Sequence, residues 1–314
     1  MPKVSVIIPI YGVEKYIERC ARSLFEQTLD DVEYLFIDDC TPDKSVEVLN
    51  RVLEEYPSRK GQVIIHRMER NCGQAAVREW GAKNATGDFI IHCDSDDWVD
   101  TNMYFEMYNA AIAQNADVAI CDFAVTDGDS TYIKITACHA KTPERFVKNC
   151  LLQRDPWSLC NKLFKREIYY KVEFPTSSMG EDLATITQLF IRVSKICYIP
   201  KIFYNYFQNS NSTIHQTSEG AIVRRYKQLQ DNTNIAIKHL EQSNKFAQII
   251  ANAKPLLLMS ACVPLLALFE CKEYRNMWRT ACPRLSLWYL IKTPFPLYSK
   301  YSYIKHAIKY RLYK

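Results

Sequence analysis

The chain has 314 residues, of which 48% are hydrophobic and 24% are charged. This composition supports a buried core and excludes a disordered chain, and the 8 glycines and 13 prolines exclude collagen-like and low-complexity architectures. The length predicts two units, or one large α/β domain with an appendage. The N-terminus lacks a basic region followed by an apolar run, so no signal peptide is expected.

The twelve cysteines bear on compartment and on metal binding. The two nearest in sequence, Cys262 and Cys271, are nine positions apart, so there is no C-x-x-C pair. This spacing disfavours a structural zinc site and a thioredoxin-like site. Without a secretion signal, the thiols are expected to be small buried groups in a reducing compartment. The sequence therefore predicts a cytoplasmic protein.

Charge is distributed unevenly along the chain. The net charge is +5, but residues 271–314 carry ten Lys/Arg against one acid, Glu273, which leaves the first 270 residues at −4. The same segment contains an aromatic set: Trp288, Tyr289, Phe295, Tyr298, Tyr301 and Tyr303. Such a tail is expected to lie on an anionic membrane surface without crossing it. The alternative is that its aromatics pack on the body; nucleic acid is disfavoured because the acidic body opposes it.

The first 122 residues alternate between strand and helix patterns. Apolar runs predict five strands at 4–8, 34–37, 63–65, 89–91 and 118–120, and amphipathic runs predict helices at 16–24, 41–53 and 74–84. This succession predicts an α/β fold with a mostly parallel, doubly wound sheet and helices on both faces.

The rest of the chain has a different pattern. Residues 140–215 are mixed, with a helix opening at Glu181-Asp182, and the pattern is helical from 217 onward. The uncharged run 255–269 is 15 residues long, whereas a membrane span needs roughly 20 apolar residues, so a buried helix is expected. We predict a first domain over 1–215 and a C-terminal helical appendage over 216–314 that includes the basic aromatic tail.

Acidic residues cluster where two predicted strands end. Asp38-Asp39 follows the second strand, and Asp94-Ser95-Asp96-Asp97 follows the fourth. Ligands of open α/β sheets bind outside these carboxyl ends, so the clusters predict a site for a cation and hydroxyl-rich groups. An EF-hand is excluded, because counting from Asp94 puts Trp98, Val99 and Phe105 where an oxygen ligand, Gly and Glu are needed. The alternative is a solvated acidic turn.

Two glycine-rich phosphate motifs are absent from the sequence. The loop after the first strand lacks G-x-G-x-x-G, and no G-x-x-x-x-G-K-[ST] occurs. This disfavours dehydrogenases and P-loop NTPases. If a nucleotide binds, a metal ion must neutralise its diphosphate.

Six ordered motifs resemble the inverting family 2 glycosyltransferases, whose catalytic domain has the GT-A fold. They are the opening strand 4–11, the helix end 23–28, Phe36-Ile37-Asp38-Asp39, Asn71-Cys72-Gly73 with Arg78, the DxD-like Asp94-Ser95-Asp96-Asp97, and Gly180-Glu181-Asp182-Leu183. Tyr204-Asn205-Tyr206 followed by Ser212 resembles the segment that closes the domain. The resemblance covers about residues 3–215, so this part is expected to be a GT-A-like nucleotide-sugar-binding domain.

The resemblance implies transfer of one sugar from a nucleoside diphosphate sugar to an acceptor hydroxyl, with inversion. Asp182 would be the general base, with Glu181 and Trp157 on the acceptor side, and Asp96 and Asp97 would hold Mn²⁺ or Mg²⁺. The expected donor-binding residues are Pro9, Tyr11, Glu14, Asp39, Arg78, Asp94 and Ser95. A lipid-linked saccharide acceptor, in assembly of a bacterial surface polysaccharide, would suit a chain docked on the inner face of the cytoplasmic membrane.

The sequence also departs from the family pattern and leaves rival functions. Tyr11-Gly12 replaces the usual Tyr-Asn, and Glu79 replaces the Asn that commonly follows the arginine. The Q-x-x-R-W motif of processive synthases is absent, which favours single-residue transfer. One rival is a sugar-phosphate nucleotidyltransferase, although its glycine-rich loop is missing. Another is a non-catalytic membrane-docking protein, which the intact acids disfavour.

Overall fold

The structure is a computed structural model, and it describes residues 1–128, 130–138, 140–209, 216–281, 301 and 304–305. Within these residues, nine strands form one sheet: β1 (Val4–Ile10), β2 (Val32–Asp38), β3 (Val63–Arg67), β4 (Phe89–His92), β5 (Trp98–Val99), β6 (Val118–Thr126), β7 (Thr131–Ile135), β8 (Lys162–Lys165) and β9 (Ile196–Phe207). Their order is β3-β2-β1-β4-β8-β6-β9-β5, and β7 pairs with the free end of β6.

The sheet is parallel in one half and mixed in the other. Strands β1 to β4 are all parallel, as the alternation of strand and helix patterns predicts. Strand β8 then pairs antiparallel with both β4 and β6, whereas β6 and β9 pair in parallel. The expectation of a mostly parallel sheet thus holds only for the first half, because β8 enters between β4 and β6 in the opposite direction.

Nine helices accompany the sheet within the described residues: α1 (Ile17–Phe25), α2 (Ser45–Glu54), α3 (Gln74–Asn84), α4 (Met103–Gln114), α5 (Pro143–Leu151), α6 (Glu181–Arg192), α7 (Glu219–Gln242), α8 (Ala247–Ala261) and α9 (Lys272–Ala281). Helix α2 begins four residues later than the sequence predicts. The Thr41 hydroxyl accepts the Gly12 N–H at 2.9 Å, so Thr41 braces the loop after β1 and precedes the helix.

Helices cover both faces of the sheet, as predicted. Alternate residues of β1 point to opposite faces, so Val6 and Ile8 lie in one core with α1, α2 and α4, while Ile7 lies in the other. The second core is built on α3, α5 and α6, and it also contains side chains of α7 and α8 such as Leu240 and Ile250. The helical region after the predicted boundary therefore shares a core with the sheet; the boundary itself lies outside the described residues.

The uncharged run 255–269 is not one helix. Helix α8 ends at Ala261, and a 3₁₀ turn follows from Val263 to Leu268 with Pro264 at its start. Proline lacks the N–H that an α-helix needs and crowds the preceding turn, which explains the break. No helix in the described part of the chain is long and apolar enough to cross a membrane.

A small third core closes the C-terminal end of the described structure. It contains Tyr226 of α7, Phe269 and Trp278, and the rings of the last two meet edge to face at 5.8 Å. Ile304 packs against this cluster. Tyr301 is exposed, and the other members of the predicted membrane-facing aromatic set lie outside the described residues.

Candidate active site

The loops that follow β1 and β2 are joined by hydrogen bonds. The Asp43 carboxylate accepts the Glu14 N–H at 2.9 Å, and Ser45 accepts the Val13 N–H at 3.1 Å. Of the predicted donor-binding residues here, Pro9 is half-buried, whereas Tyr11 and Glu14 are exposed. These residues lie together at the carboxyl edge of the sheet, where a ligand can reach them.

Asp39 binds the loop that begins α3. Its two carboxylate oxygens accept the N–H groups of Cys72 and Gly73 at 2.7 and 2.8 Å, and its side chain is buried. Gly73 has φ +83°, a conformation that favours glycine. Asp38 instead accepts the Thr41 N–H and pairs with Arg67, so Asp38 braces the strand end. Asp39, one of the expected donor-binding residues, thus connects the end of β2 to the loop before α3.

Asp97, one of the two predicted metal ligands, is bound to strand β9. It is buried, and its two oxygens accept the Tyr204 hydroxyl at 2.5 Å and the Phe207 N–H at 2.7 Å. Burial and the neighbouring Asp96 and Asp94 raise its pKa well above the usual value. Each Asp97 oxygen thus already accepts a hydrogen bond from β9, and the role of Asp97 as a metal ligand stays a prediction. Its role in the structure is to fix the 94–97 loop to β9.

Asp96 is the more accessible of the two predicted metal ligands. Its carboxylate is half-buried and lies 3.5 Å from the Asn209 side-chain nitrogen. Burial and the charge of Asp94 raise its pKa to about 6, so a nearby cation would stabilise its charged form. Ser95, between the two acids, is buried.

The residues present fit an Mn²⁺ or Mg²⁺ ion whose coordination is completed by the substrate. Among the described residues, no group of three or more His, Cys, Asp or Glu is arranged as a ready metal site. Magnesium-type sites, however, commonly use one or two carboxylates together with substrate phosphates. The crowded acids Asp94 and Asp96 supply that kind of donor set.

Arg78 joins three carboxylates at the centre of the site. Its side chain is 4% exposed, and it pairs with Asp94 at 2.7 Å, with Asp182 at 2.6 Å and with Glu181. Burial alone would lower the pKa of Arg78, but the three carboxylates outweigh burial and raise it well above the usual value. Arg78 was expected to contact the donor, and the structure makes it the link between the 94–97 loop and α6.

Glu181 and Asp182 occupy the first turn of α6 but differ in access. The Glu181 side chain is 5% exposed, whereas that of Asp182 is 34% exposed. Burial raises the pKa of Glu181 to about 8, and it also raises the pKa of Asp182, against the opposing effect of Arg78 in both cases. Asp182 is therefore the member of the pair that a substrate can reach.

Two flanking segments orient the start of α6. Asn232 of α7 donates to the backbone oxygens of Ser177 and Met179 at 2.7 and 2.8 Å, just before the helix. On the other side, the Leu159 N–H donates to Asp182 Oδ2 at 3.3 Å. Trp157 is half-buried two residues before Leu159, so it lies in the loop that contacts Asp182.

Sequence reasoning missed several groups that shape this site. Gln74 donates to Asp94 at 2.9 Å, and the Tyr204 hydroxyl both accepts the Asp94 N–H and donates to Asp97. The Tyr204-Asn205-Tyr206 motif hinted at this contact. Asn232 left no comparable signal, because it lies more than 50 residues after the loop that it contacts, in a helix of ordinary pattern. Ser212 lies outside the described residues.

Comparison with known proteins gives the family. The model of "Glycosyl transferase family 2" matches residues 5–175. The uncharacterized glycosyltransferase EpsJ of Bacillus subtilis (strain 168) is 30% identical over 222 residues, which cover 68% of this chain and 63% of EpsJ. The chain thus spans less than two thirds of the length of this relative.

Solved structures show the same fold. S. aureus TarS 1-349 in complex with UDP matches with a TM-score of 0.57 at 18% identity, over 89% of this chain and 90% of TarS 1-349. The mannosyltransferase PcManGT of Pyrobaculum calidifontis, in complex with GDP-Man and Mn²⁺, matches with a TM-score of 0.56 at 19% identity, over 89% of this chain and 84% of PcManGT. The predicted GT-A-like fold is confirmed. The chain belongs to glycosyl transferase family 2.

Proposed function

We propose that this chain transfers a single sugar from a nucleoside diphosphate sugar to an acceptor hydroxyl, with inversion at the anomeric carbon. The observation that carries the proposal is the junction at Arg78, which brings Asp94 of the acidic loop and Asp182 of α6 to one guanidinium. Donor-side and acceptor-side groups therefore meet at one edge of the sheet. Family membership and the nucleotide-bound structures of similar fold support it.

Asp182 is the proposed general base. Arg78 binds Oδ1 and the Leu159 N–H binds Oδ2, so the carboxylate is held in one orientation. Each carboxylate oxygen has a further lone pair, which leaves room to accept the proton of an acceptor hydroxyl. The charge of Arg78 favours the ionised form that the base needs. Holding donor and acceptor in line supplies the alignment for displacement.

The donor is proposed to lie between the loop after β1 and the acidic loop after β4. Tyr11 and Glu14 would flank it, Asp39 would position the nucleoside side through its hold on the Cys72-Gly73 loop, and Asp94 and Ser95 would lie beside the diphosphate. Asp96 would hold Mn²⁺ or Mg²⁺, which when bound stabilises the charge of the leaving diphosphate.

The acceptor and the location of the enzyme are proposed from the tail. A saccharide on a lipid carrier would be confined to the cytoplasmic face of a membrane, and residues 271–314 carry a net charge of +9 that anionic lipid would attract. On the acceptor side, the half-buried Trp157 would lie nearer to such a substrate than Glu181, whose side chain is buried. This arrangement suits the assembly of a bacterial surface polysaccharide.

The test is a screen of UDP-glucose, UDP-galactose, UDP-N-acetylglucosamine and GDP-mannose for release of the nucleoside diphosphate. We expect hydrolysis of at least one donor with Mn²⁺ and its loss with EDTA. Asp182→Asn should lower turnover by roughly 10²–10⁴-fold, the usual contribution of a general base, while UDP or GDP still binds. Asp30→Asn, at an exposed position before β2, is the matched control. Wild-type turnover in Asp182→Asn would place the base elsewhere.

A nucleotidyltransferase would give a different result in the same screen. It would release diphosphate from a nucleoside triphosphate in the presence of a sugar phosphate, and it would leave the four sugar donors intact. Family membership disfavours this alternative.

A further inference from the structure

A buried lysine lies beneath the loop that contacts Asp182. Lys162 is the first residue of β8, and its side chain is fully buried. Its Nζ donates to the backbone oxygens of Pro156 at 3.2 Å and Ser158 at 2.6 Å, and to Asn161 Oδ1 at 2.9 Å. All three N–H groups of the ammonium are therefore satisfied.

The placement of this ammonium is costly for a purely structural role. The three hydrogen-bond acceptors of Lys162 in the described part of the chain are uncharged. Burying a charge without a charged partner costs on the order of several kcal/mol. Burial lowers the pKa of Lys162, and nearby thiols and Asp182 act against that effect. An apolar side chain would avoid this cost but would leave the three acceptors without this donor. A neutral amide could donate to two of them, so the charge itself calls for an explanation.

The loop that Lys162 holds also holds Asp182. The ammonium binds the backbone oxygens of Pro156 and Ser158, which flank Trp157. The residue after Ser158, Leu159, donates its N–H to Asp182 Oδ2. Asn161 adds a second brace, because its Nδ2 donates to the Cys121 oxygen of β6 at 2.7 Å. The loop is thus fixed to the sheet at one end and to the first turn of α6 at the other.

We propose that Lys162 is a positioning residue for Asp182: its buried ammonium holds the 156–159 loop so that the Leu159 amide orients the carboxylate. The positive charge of Lys162 also acts to lower the pKa of Asp182. This rests on the proposed role of Asp182. The titratable and charged groups that interact with Asp182 are Arg78, Asp94, Cys160, Lys162, Tyr169 and Glu181; those that interact with Lys162 are Cys121, Cys138, Cys150, Cys160 and Asp182.

The test compares Lys162→Met with Lys165→Met in the full chain. Methionine keeps the length and apolar stem of the side chain but removes the ammonium. Lys165 lies in the same strand and pairs with Asp117, away from the loop. The readouts are the melting temperature, binding of UDP and GDP with Mn²⁺ by calorimetry, and the pH dependence of kcat/KM for hydrolysis of the donor found in the screen.

We expect Lys162→Met to bind the nucleotide as wild type does and to lose about 10²-fold in kcat, as for a misplaced catalytic group. The fall of kcat/KM on the acid side of its pH profile should move to higher pH. Lys165→Met should match wild type in nucleotide binding, in kcat and in the pH profile of kcat/KM. Lys162→Gln, which keeps two N–H donors but no charge, should recover part of kcat and keep the shifted pH profile.

Three outcomes would overturn the proposal. A wild-type kcat and pH profile in Lys162→Met would leave the ammonium without a role in positioning. Failure of both Lys162 variants to fold would assign the lysine to the core alone. If Asp182→Asn itself turns over like wild type, the proposed function fails and the role of Lys162 fails with it; a slow Asp182→Asn beside a normal Lys162→Met overturns only the present inference.

Discussion

At the scale of single residues, the buried Arg78 explains how three acidic side chains lie close together. Asp94, Glu181 and Asp182 would repel one another, and the planar guanidinium binds all three through two of its nitrogens. A lysine would present one point charge and could not match this arrangement. The arginine therefore sets both the geometry of the site and the ionisation of its acids.

Metal dependence can be tested at Asp96. We expect UDP or GDP to bind wild type at least about tenfold, or 1.4 kcal/mol, more tightly with Mn²⁺ than with EDTA, since the acids otherwise repel the phosphates. Asp96→Asn should remove this difference, because the amide is a poorer ligand. Calorimetry measures both affinities, and Asp88→Asn, at an exposed position before β4, is the control. Equal wild-type affinity in EDTA would contradict the metal assignment.

Glu181 gives a prediction for stability against pH. Its pKa is raised to about 8 in the folded protein from an ordinary value of 4.5, chiefly by burial. The folded state thus binds the proton more tightly than the unfolded state, so this contribution is full below pH 4.5 and is lost as pH rises through 8. Glu181→Gln, which resembles the protonated acid, should remove that decline.

The measurement is the free energy of unfolding in urea at intervals from pH 5 to pH 9. The wild-type value should fall with pH relative to that of Glu181→Gln. Glu79→Gln, on the exposed side of α3 and paired with Lys83, is the control. Parallel curves for wild type and Glu181→Gln would show that Glu181 is ionised throughout this range.

At the scale of elements, α7 supports the first turn of α6. Gly180 ends the preceding loop with φ +81°, and an added Cβ there would lie 2.9 Å from Leu229 of α7. Asn232, four residues after Gln228, binds two carbonyl groups of the same loop, and Gln228 accepts the Met179 N–H at 3.3 Å. The helix after the predicted domain boundary is therefore part of the support of the candidate base.

Asn232→Ala tests this support. It leaves the two loop carbonyls without their donor, which should cost about 1–3 kcal/mol of unfolding free energy, and it should lower kcat for donor hydrolysis more than it weakens nucleotide binding. Asn234→Ala, at an exposed position on the same helix, is the control and should change neither. A destabilised Asn232→Ala with normal kcat would separate α7 from the function of the site.

The parts of the fold that the sequence predicts are those with local patterns. Strands β1 to β4 have short apolar runs with helices between them, so their positions follow from periodicity. Strand β9 does not, because its partner β6 is far away in sequence and the pairing shifts around the exposed Pro200 and Lys201. Proline has no N–H for the ladder, so a regular strand pattern is interrupted there.

The sequence predicts which residues form the candidate site but not which way their side chains point. Asp94, Asp96 and Asp97 are adjacent in sequence, and nothing in the spacing indicates that Asp97 turns toward Tyr204 while Asp96 does not. Arg78 and Asp182 were each expected near the substrate, but their ion pair joins residues 104 positions apart. Such contacts depend on how β4, α3 and α6 pack, which local patterns do not contain.

At the scale of the whole molecule, the candidate active site gives no indication of what the basic tail, residues 271–314, binds. Two of its aromatic side chains, Tyr274 and Trp278, are buried in the small C-terminal core, so they are not available to a membrane. Tyr301 is 64% exposed. The prediction of membrane contact therefore depends on the Lys and Arg residues after residue 283 and on the aromatic residues that lie outside the described part of the chain.

We expect the full chain to co-sediment with vesicles that contain phosphatidylglycerol and not with vesicles of phosphatidylcholine alone, because each Lys or Arg near an anionic surface contributes about 1 kcal/mol. Replacing three tail lysines by Gln should then weaken binding by about 10²-fold, and raised salt should weaken it further by screening. The tail substitutions are Lys300, Lys309 and Lys314, and the matched body substitutions are the exposed Lys15, Lys44 and Lys171. Equal loss in both triple variants would indicate attraction by net charge alone, and binding insensitive to salt would rule out the basic tail as the anchor.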